Sequence, residues 1–243
     1  MKGEDQVAIP IRLLVVDDHR MFAEAIELLL ASAEGIEIVG AVGTGEDALE
    51  LLKTTKADVV LMDIDLPGMD GVEATRQIRT SSPQTQVVIV TALHGSVMAR
   101  GVEAGASGFV SKTRATEDLV EVVRRAAEGE IVLPSAEIAQ VLGSLQRAAT
   151  SRATAGRALG NLTDRELDIL QRIAHGKSTA EIAKALFISP FTVQSHVKNI
   201  LAKLGVHSKL EAVTFALRHG AVDVSPAEGA VRPPERDRWE VPW

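Results

Sequence analysis

Val59-Val60-Leu61-Met62-Asp63 places four apolar side chains directly before a carboxylate, and three other apolar runs in the first half also end in reactive polar residues. These runs are Ile11–Val16 before Asp17 and Asp18, residues 87–90 before Thr91, and residues 108–110 before Ser111 and Lys112. Short Val/Ile-rich runs separated by stretches of helical period predict parallel strands that are buried on both faces.

The stretches of sequence between these runs show helical periodicity. Helices are predicted at residues 21–31, 45–53, 71–80, 96–104 and 116–128, and one more strand is predicted at Ile36–Val42. Five strands in regular alternation with five helices predict an α/β domain with a doubly wound, five-stranded parallel sheet of flavodoxin-like order. We expect this domain to span residues 1–133.

Polar side chains therefore follow four of the predicted strands. Because ligands bind beyond the carboxyl ends of parallel strands, we expect three carboxylates, a hydroxyl and an ammonium to meet there. Clustered carboxylates need a cation or a proton, and hard oxygen ligands favour Mg²⁺. With a lysine and a hydroxyl nearby, the set predicts a phosphoryl-transfer site with an aspartate nucleophile. The alternative is that loops are simply polar, but four polar positions at four strand ends favour a site.

A different organisation begins after residue 133. Residues 134–158 are rich in Ala, Ser, Arg and Gly, which predicts a linker that is partly helical. Four short helices follow, and their starts carry capping signals: Thr163 with Glu166, Ser178 with Glu181, Ser189 with Pro190, and Ser208 with Glu211. Only residues 187–189 separate the second helix from the third, which is the spacing of a helix-turn-helix. We expect a small all-α domain at residues 159–222 and a disordered tail at 223–243.

The third of these helices has an apolar stripe that begins at Val193 and a small, mostly polar opposite face. That opposite face comprises Phe191, Ser195, Lys198, Asn199 and Ala202, with Gln194 at its edge. A helix anchored from behind in this way can enter a major groove, although an ordinary surface helix shows the same pattern. Phe191 can either touch a thymine methyl or pack against a neighbouring helix, and we expect the packing.

Composition narrows the class of protein further. Residues 1–133 hold 12 Lys/Arg against 22 Asp/Glu, whereas residues 134–220 hold 11 against 6, so only the second half is suited to meet a polyanion. Cysteine is absent, which excludes disulfides, thiol nucleophiles and Cys-based metal sites. No apolar run approaches the roughly 18 residues that cross a bilayer, and the first residues do not resemble a signal peptide. We expect a cytoplasmic protein that does not contact membranes.

The first half resembles the receiver domain of two-component response regulators. The resemblance is carried by residues 14–19 (LVVDDH), 61–71 (LMDIDLPGMDG), 91–92 (TA) and 105–112 (GASGFVSK). It implies that Asp63 accepts phosphate from a histidine kinase. It also implies Mg²⁺ ligands, a phosphoryl-binding pair and an aromatic switch position. These are Asp17, Asp18, Asp63 and the backbone carbonyl of Asp65 for the metal, Thr91 and Lys112 for the phosphoryl group, and Phe109 for the switch.

Residues 162–220 resemble the LuxR-type helix-turn-helix of NarL/FixJ response regulators, through residues 162–166 (LTDRE), 181–183 (EIA), 188–189 (IS), 192–193 (TV), 196–197 (HV), 199–200 (NI) and 203–205 (KLG). The resemblance implies contacts with double-stranded promoter DNA from Thr192, Gln194, Ser195 and Lys198, and a phosphate contact from Lys203. Residues 162–220 carry a net charge of only +3, so we expect modest affinity from one copy and binding as a homodimer. The last helix is the expected dimer face, through Ala212, Val213, Phe215 and Ala216.

We therefore predict a phosphorylation-controlled transcriptional regulator that is no enzyme beyond self-phosphorylation and self-dephosphorylation at Asp63. One alternative is a haloacid-dehalogenase-like phosphatase, because Asp63-Ile64-Asp65 mimics its Asp-x-Asp motif. That family expects threonine where Pro67 stands, and its acid pair lies downstream rather than upstream. The other alternative is a constitutive or ligand-gated DNA-binding protein of the same fold, which the complete set of acceptor residues argues against.

Overall fold

The computed structural model describes residues 9–31, 33–91, 95–112, 115–133 and 159–223. The first part contains β1 (Ile11–Val16), α1 (Arg20–Ala31), β2 (Ile36–Val42), α2 (Gly45–Thr54), β3 (Val59–Asp63), α3 (Gly71–Ser81), β4 (Gln86–Thr91), α4 (Gly95–Glu103), β5 (Gly108–Ser111) and α5 (Ala115–Ala127). The second part contains α6 (Asp164–Ala174), α7 (Thr179–Leu186), α8 (Pro190–Leu204) and α9 (Lys209–Arg218). Most of the predicted linker and tail lies outside the described residues. Within those residues, no helix is long and apolar enough to span a bilayer.

The five strands form one parallel sheet in the order β2-β1-β3-β4-β5. This confirms the predicted flavodoxin-like arrangement. All five residues of β3 are buried, because the strand is central and apolar side chains cover both of its faces. At the carboxyl end, Asp63 pairs with Val90, and Thr91 pairs with Ser111 on β5. The register therefore brings the polar ends of three strands to one edge of the sheet.

A close approach of α3 to β3 shapes the loop after Asp63. A Cβ atom at Gly71 would lie 1.8 Å from the Asp63 carbonyl oxygen, so only glycine fits at this position. The Gly71 amide donates to the carbonyl of Ile64 at 3.0 Å, and the Asp70 side chain caps α3 by accepting from the Glu73 amide. These contacts fix the backbone immediately beyond Asp63.

The four C-terminal helices pack around a core that includes Ile169, Val193 and Ile200. Thr163 and Ser178 both form the predicted reciprocal capping boxes, and Ser189 caps α8 with Pro190 at its first position. These caps determine the residues at which the helices begin, which the apolar pattern alone does not fix. The second domain is therefore the small all-α domain that was predicted.

Helix α9 contacts both domains. Ala212, Val213 and Ala216 are buried in the C-terminal core, against which Phe215 also packs. The expected dimer face is wrong for Ala212, Val213 and Ala216, because that side of α9 closes the core of its own domain. Phe215 is only partly buried, so for this residue the expectation stays a prediction. Leu210 is only 3% exposed and packs in a separate apolar cluster of the α/β domain, which includes Met98 and Phe109.

Candidate functional site

The carboxyl edge of the sheet holds a group of acidic side chains. Asp63 and Asp17 are 2% and 5% exposed, whereas the Asp18 side chain is about one-third exposed. One potential ligand atom from each of Asp17, Asp18, His19 and Asp63 lies within 4.8 Å of the others. The structure thus brings together the three aspartates that the sequence placed at the ends of two strands.

Lys112 lies between two of these carboxylates. Its Nζ atom is 2.7 Å from Oδ2 of Asp63 and 2.9 Å from Oδ2 of Asp17. The same ammonium lies 5.1 Å from the centre of the Phe22 ring, within the range of a cation–π contact. Lys112 therefore holds a compensating positive charge beside the two buried acids.

The pKa directions reflect this arrangement. Burial raises the pKa of Asp63 and the charge of Asp17 adds to the rise, while the hydrogen bond from Lys112 opposes it. Burial alone would lower the pKa of Lys112, but the hydrogen bond to Asp63 and the negative charges of Asp63 and Asp17 outweigh it and raise the pKa. An additional cation at this edge would therefore favour the ionised form of Asp63.

The donor set fits a hard divalent cation. Three carboxylates converge, and Oδ2 of Asp17 has no well-directed hydrogen bond from the described residues, although it lies at ion-pair distance from Lys112. Mg²⁺ takes oxygen ligands of this kind. His19 is mostly exposed, and its Nδ1 atom lies 2.8 Å from Oδ1 of Asp18. An open cleft beside these groups is lined by His19, Met21, Phe22, Asp63, Asp65 and Lys112.

Thr91 lies on β4, which neighbours β3, and Phe109 lies on β5, the next strand beyond β4. Thr91 ends β4 and is 5% exposed. Phe109 is fully buried, and a Cβ atom at Gly101 of α4 would lie 2.8 Å from its ring. The glycine thus leaves the space that the ring occupies. Phe109 belongs to the same apolar cluster as Leu210, so the predicted switch position contacts the region where α9 docks.

The predicted DNA-facing residues lie on the outer side of α8. Gln194, Ser195 and Lys198 are exposed, and Thr192 is half-buried, with its hydroxyl 2.9 Å from that of the Ser189 cap. The Ser195 hydroxyl donates to the Phe191 carbonyl at 3.0 Å. The described residues of the receiver-like domain leave this face exposed.

Phe191 departs from its prediction. Its side chain is 77% exposed, so the expectation that it packs against a neighbouring helix is wrong. The reason is geometric: residue 191 lies on the opposite side of α8 from Val193 and Val197, which enter the core. Phe187, in the turn before α8, is 95% exposed and adopts a left-handed backbone conformation with φ of 54°.

Lys203 has a partner that the sequence did not reveal. Its Nζ atom lies 2.7 Å from Oε2 of Glu166, whose side chain is only 4% exposed. Burial acts to raise the pKa of Glu166, but hydrogen bonds from Lys203 and Thr163 lower it overall. In this structure Lys203 therefore joins α8 to the capping box of α6. In the sequence, the capping pattern at the start of α6 was the only signal that singled out Glu166.

The docking of α9 also involves an arginine that the sequence analysis missed. Arg79 on α3 is 4% exposed, and its guanidinium donates to the carbonyls of Thr85 and His207. Farther along, Arg218 lies 3.5 Å from Glu103 of α4. No pattern of charge or spacing in the sequence distinguishes Arg79 from Arg76, the other arginine of α3.

This contact contains several polar atoms without hydrogen bonds. Among the described residues, buried side-chain atoms that lack a partner include Nε of Arg79, Oγ1 of Thr214 and Nε of Arg218. Thr214 and Arg218 follow Leu210 at intervals of four residues and so lie on the same stripe of α9. Each unsatisfied buried group costs roughly 1–3 kcal/mol, so the docked arrangement is stabilised less than its apolar contacts suggest.

Comparison with known proteins gives matches over both domains. Residues 13–124 match the family described as the response regulator receiver domain, and residues 160–216 match the luxR family of bacterial regulatory proteins. The response regulator protein VraR of Staphylococcus epidermidis is 37% identical over 213 residues, covering 87% of this chain and 99% of VraR. An uncharacterised transcriptional regulatory protein, YxjL of Bacillus subtilis, is 34% identical over 87% of this chain and 97% of its own.

Solved structures share the fold. A LuxR-family response regulator from Aurantimonas is 29% identical, with a TM-score of 0.52, over 55% of this chain and 96% of its own. A complex of the response regulator RcsB with DNA has a TM-score of 0.50 over 85% of this chain and 97% of RcsB. At 22% identity, the second likeness concerns the fold alone.

Proposed function

Because the chain belongs to the two-component response regulators that join a receiver domain to a LuxR-type DNA-binding domain, we propose that Asp63 is its phosphoacceptor. The protein is a DNA-binding transcriptional regulator rather than a conventional enzyme, and the phosphatase alternative no longer applies. One observation carries the assignment. Asp63 is a buried carboxylate at the end of the central strand, and it accepts a hydrogen bond from Lys112 beside a second buried acid.

The partner of this reaction is a histidine kinase, whose phosphohistidine provides the phosphoryl group. An Asp63 oxygen attacks phosphorus, the bond from phosphorus to the histidine nitrogen breaks, and the imidazole leaves with the electron pair. Lys112 stays paired with the transferred group, and the Thr91 hydroxyl donates a hydrogen bond to it. Self-phosphorylation from small phosphodonors and self-dephosphorylation are the only chemistry we assign to the chain.

Mg²⁺ is the proposed cofactor. The side chains of Asp17, Asp18 and Asp63 and the backbone carbonyl of Asp65 would hold it, in agreement with the preference of Mg²⁺ for oxygen ligands. When bound, the ion neutralises negative charge that develops on the phosphoryl oxygens. His19 is not included, because nitrogen is a poor ligand for this ion.

The acceptor assignment is tested by incubating the full-length protein with acetyl phosphate and Mg²⁺ and measuring its intact mass. We expect the wild type to gain the mass of one phosphoryl group, and Asp63→Asn to gain none, because an amide is a poor nucleophile. Asp164→Asn is the matched control, since Asp164 is exposed and lies on α6 of the other domain. If Asp63→Asn gains the phosphoryl group at the wild-type rate, the assignment is wrong.

Helix α9 couples phosphorylation of the receiver domain to control of the DNA-binding domain. Phosphorylation at Asp63 changes the packing around Thr91 and Phe109, and Phe109 shares an apolar cluster with Leu210. A shift of this cluster weakens the docking of α9, which already includes unsatisfied polar atoms. Because the outer face of α8 is open while α9 is docked, control acts on assembly rather than by covering the DNA-reading surface.

The assembly we propose is a homodimer on promoter DNA in the cytoplasm. Release from the receiver domain would expose the stripe of Leu210, Thr214 and Arg218, which is available to a second copy. The net charge of only +3 on residues 162–220 favours two copies acting together. Our assigned boundaries are 1–133 for the receiver domain, 134–158 for the linker, 159–222 for the DNA-binding domain and 223–243 for the tail.

A further inference from the structure

Phe191 is a large apolar side chain that lies open to solvent in the first turn of α8. Its exposed fraction is 77%, whereas the apolar residues on the other side of the same helix are buried. Single exposed apolar residues are common on protein surfaces, so exposure alone identifies no partner. The position of Phe191 on α8 is what indicates its partner.

Phe191 shares one stripe of α8 with two predicted DNA-facing residues. Ser195 and Lys198 follow it at intervals of four and three residues, and all three are exposed. In helix-turn-helix proteins, the N-terminal residues of the second helix contact base edges in the major groove. Phe191 occupies the second position of α8, after the Ser189 cap and Pro190. The ring therefore lies at the end of the stripe that enters the groove.

The hydroxyls near Phe191 are already engaged. The Ser195 hydroxyl donates to the Phe191 carbonyl, and the Thr192 and Ser189 hydroxyls bond to each other at 2.9 Å. Beside these hydroxyls and the exposed Gln194, the phenyl ring is the large apolar group at this end of α8. In the major groove, the apolar feature of a base edge is the 5-methyl group of thymine.

We propose that Phe191 is a specificity-determining residue that contacts a thymine 5-methyl group in each half-site of the operator. This rests on the proposed binding of promoter DNA by the phosphorylated dimer. Pro190 restricts the backbone of the first turn, and the Ser189 cap holds its direction, so the ring is presented from a rigid position. Lys198, on the same stripe, provides the positive charge that a phosphate or a guanine edge needs.

The test starts with selection from a randomised duplex library by full-length protein phosphorylated with acetyl phosphate. In the selected duplex, each thymine is then replaced singly by deoxyuridine, which removes only the methyl group. We expect wild-type affinity to fall about fourfold at one thymine of each half-site, the effect of losing one buried methyl-sized group. Phe191→Ala should lose the preference for thymine there and should bind both duplexes equally. Phe191→Leu should keep part of the effect.

Phe187→Ala is the matched control, because Phe187 is equally apolar and 95% exposed but lies in the turn rather than on the stripe. It should retain the wild-type response to deoxyuridine. The proposal is overturned if the wild type ignores every deoxyuridine, or if Phe191→Ala responds as the wild type does. It is also overturned if Phe191→Ala keeps the DNA preference and loses only transcriptional activity, which would indicate a protein partner. If the wild type enriches no sequence from the library, sequence-specific promoter binding is wrong, and this proposal is wrong with it.

Discussion

Lys112 compensates the charge of two buried carboxylates, Asp63 and Asp17, whose oxygens lie 2.7 Å and 2.9 Å from its Nζ atom. Two carboxylates this close to each other repel in a poorly solvated site, so they persist only with a counter-charge. The lysine fills this role without blocking the cleft that reaches Asp63 from solvent. The site is therefore stable before a metal or a phosphoryl group arrives.

The metal assignment predicts the behaviour of a double variant, Asp17→Asn with Asp18→Asn. The fold should remain, because both residues lie at the edge of the sheet rather than in its core. Mg²⁺ affinity, measured by calorimetry, should fall by more than about tenfold, since two carboxylate ligands become neutral amides. Mg²⁺-dependent phosphorylation of Asp63 should be lost with it. Unchanged Mg²⁺ affinity in a folded double variant would contradict the ligand assignment.

Among the helices, α8 is held to α6 by the ion pair between Lys203 and Glu166. The folded-state pKa of Glu166 lies below its ordinary value of 4.5, so the pair's contribution to stability is fully present above that pH. It is lost as the pH falls through the folded-state pKa. Lys203→Met should therefore lower the free energy of unfolding at neutral pH by about 1–3 kcal/mol. The difference from wild type should shrink below pH 4.5.

Lys177→Met is the control for this experiment. Lys177 pairs with Glu181 in the other capping box, but both side chains are about half exposed. An exposed pair contributes roughly 0–1 kcal/mol, so this variant should melt close to the wild type. Denaturant unfolding at several pH values measures both variants. If Lys203→Met instead leaves stability unchanged and weakens DNA binding, the predicted phosphate contact is the main role of Lys203.

For Lys198, on the outer face of α8, we expect an effect on DNA binding rather than on stability. Lys198 is exposed and lies on the opposite side of the helix from the core. If it meets a phosphate, Lys198→Ala should weaken binding at all DNA sequences and reduce the dependence of affinity on salt by about one ion. If it reads a guanine edge, the loss should appear at one base position. Equal affinity of the variant and the wild type at every salt concentration would exclude both roles.

The periodicity of the sequence was sufficient to predict the sheet, its strand order and the starts of the C-terminal helices. Those features depend on local signals, namely buried apolar runs such as Val59–Asp63 and hydroxyl caps such as Ser178. The convergence of Asp17, Asp63 and Lys112 was predictable for the same reason, because parallel strands end at one edge. The family resemblance added the roles that geometry alone does not assign.

Contacts between distant parts of the chain were not predictable. Neither the pairing of Lys203 with Glu166 nor the docking of Arg79 against His207 follows from any local period. The error about α9 has a related cause. An apolar set such as Ala212 and Val213 indicates a buried face, but only the packed structure shows whether the same chain or a second copy covers it.

At the scale of the whole molecule, the two domains meet through a contact that combines apolar packing with unpaired polar atoms. Leu210 enters the apolar cluster that includes Phe109, while polar atoms of Arg79 and Arg218 remain without hydrogen bonds among the described residues. A change in the receiver domain can displace such a contact, because its unpaired buried polar atoms offset part of its apolar stabilisation. It links the proposed site of phosphorylation to the domain that binds DNA.

Arg79→Met tests this contact from the receiver side and leaves α9 intact. Loss of the guanidinium removes the hydrogen bond to the His207 carbonyl, so α9 should undock more readily. We expect the unphosphorylated variant to dimerise at about five- to tenfold lower concentration than the wild type, measured by sedimentation. Arg76→Met is the control, because Arg76 is on the same helix but pairs only at the surface, with Glu73. If neither variant changes assembly, the contact does not restrain the DNA-binding domain.

The most direct test of control by phosphorylation is the affinity of full-length protein for its selected operator, measured at low protein concentration with and without acetyl phosphate. The wild type should bind at least about tenfold more tightly after phosphorylation, because release of α9 makes the dimer available. Asp63→Asn should bind weakly under both conditions. Equal affinity of the phosphorylated and unphosphorylated wild type would show that the receiver domain does not govern this DNA-binding domain.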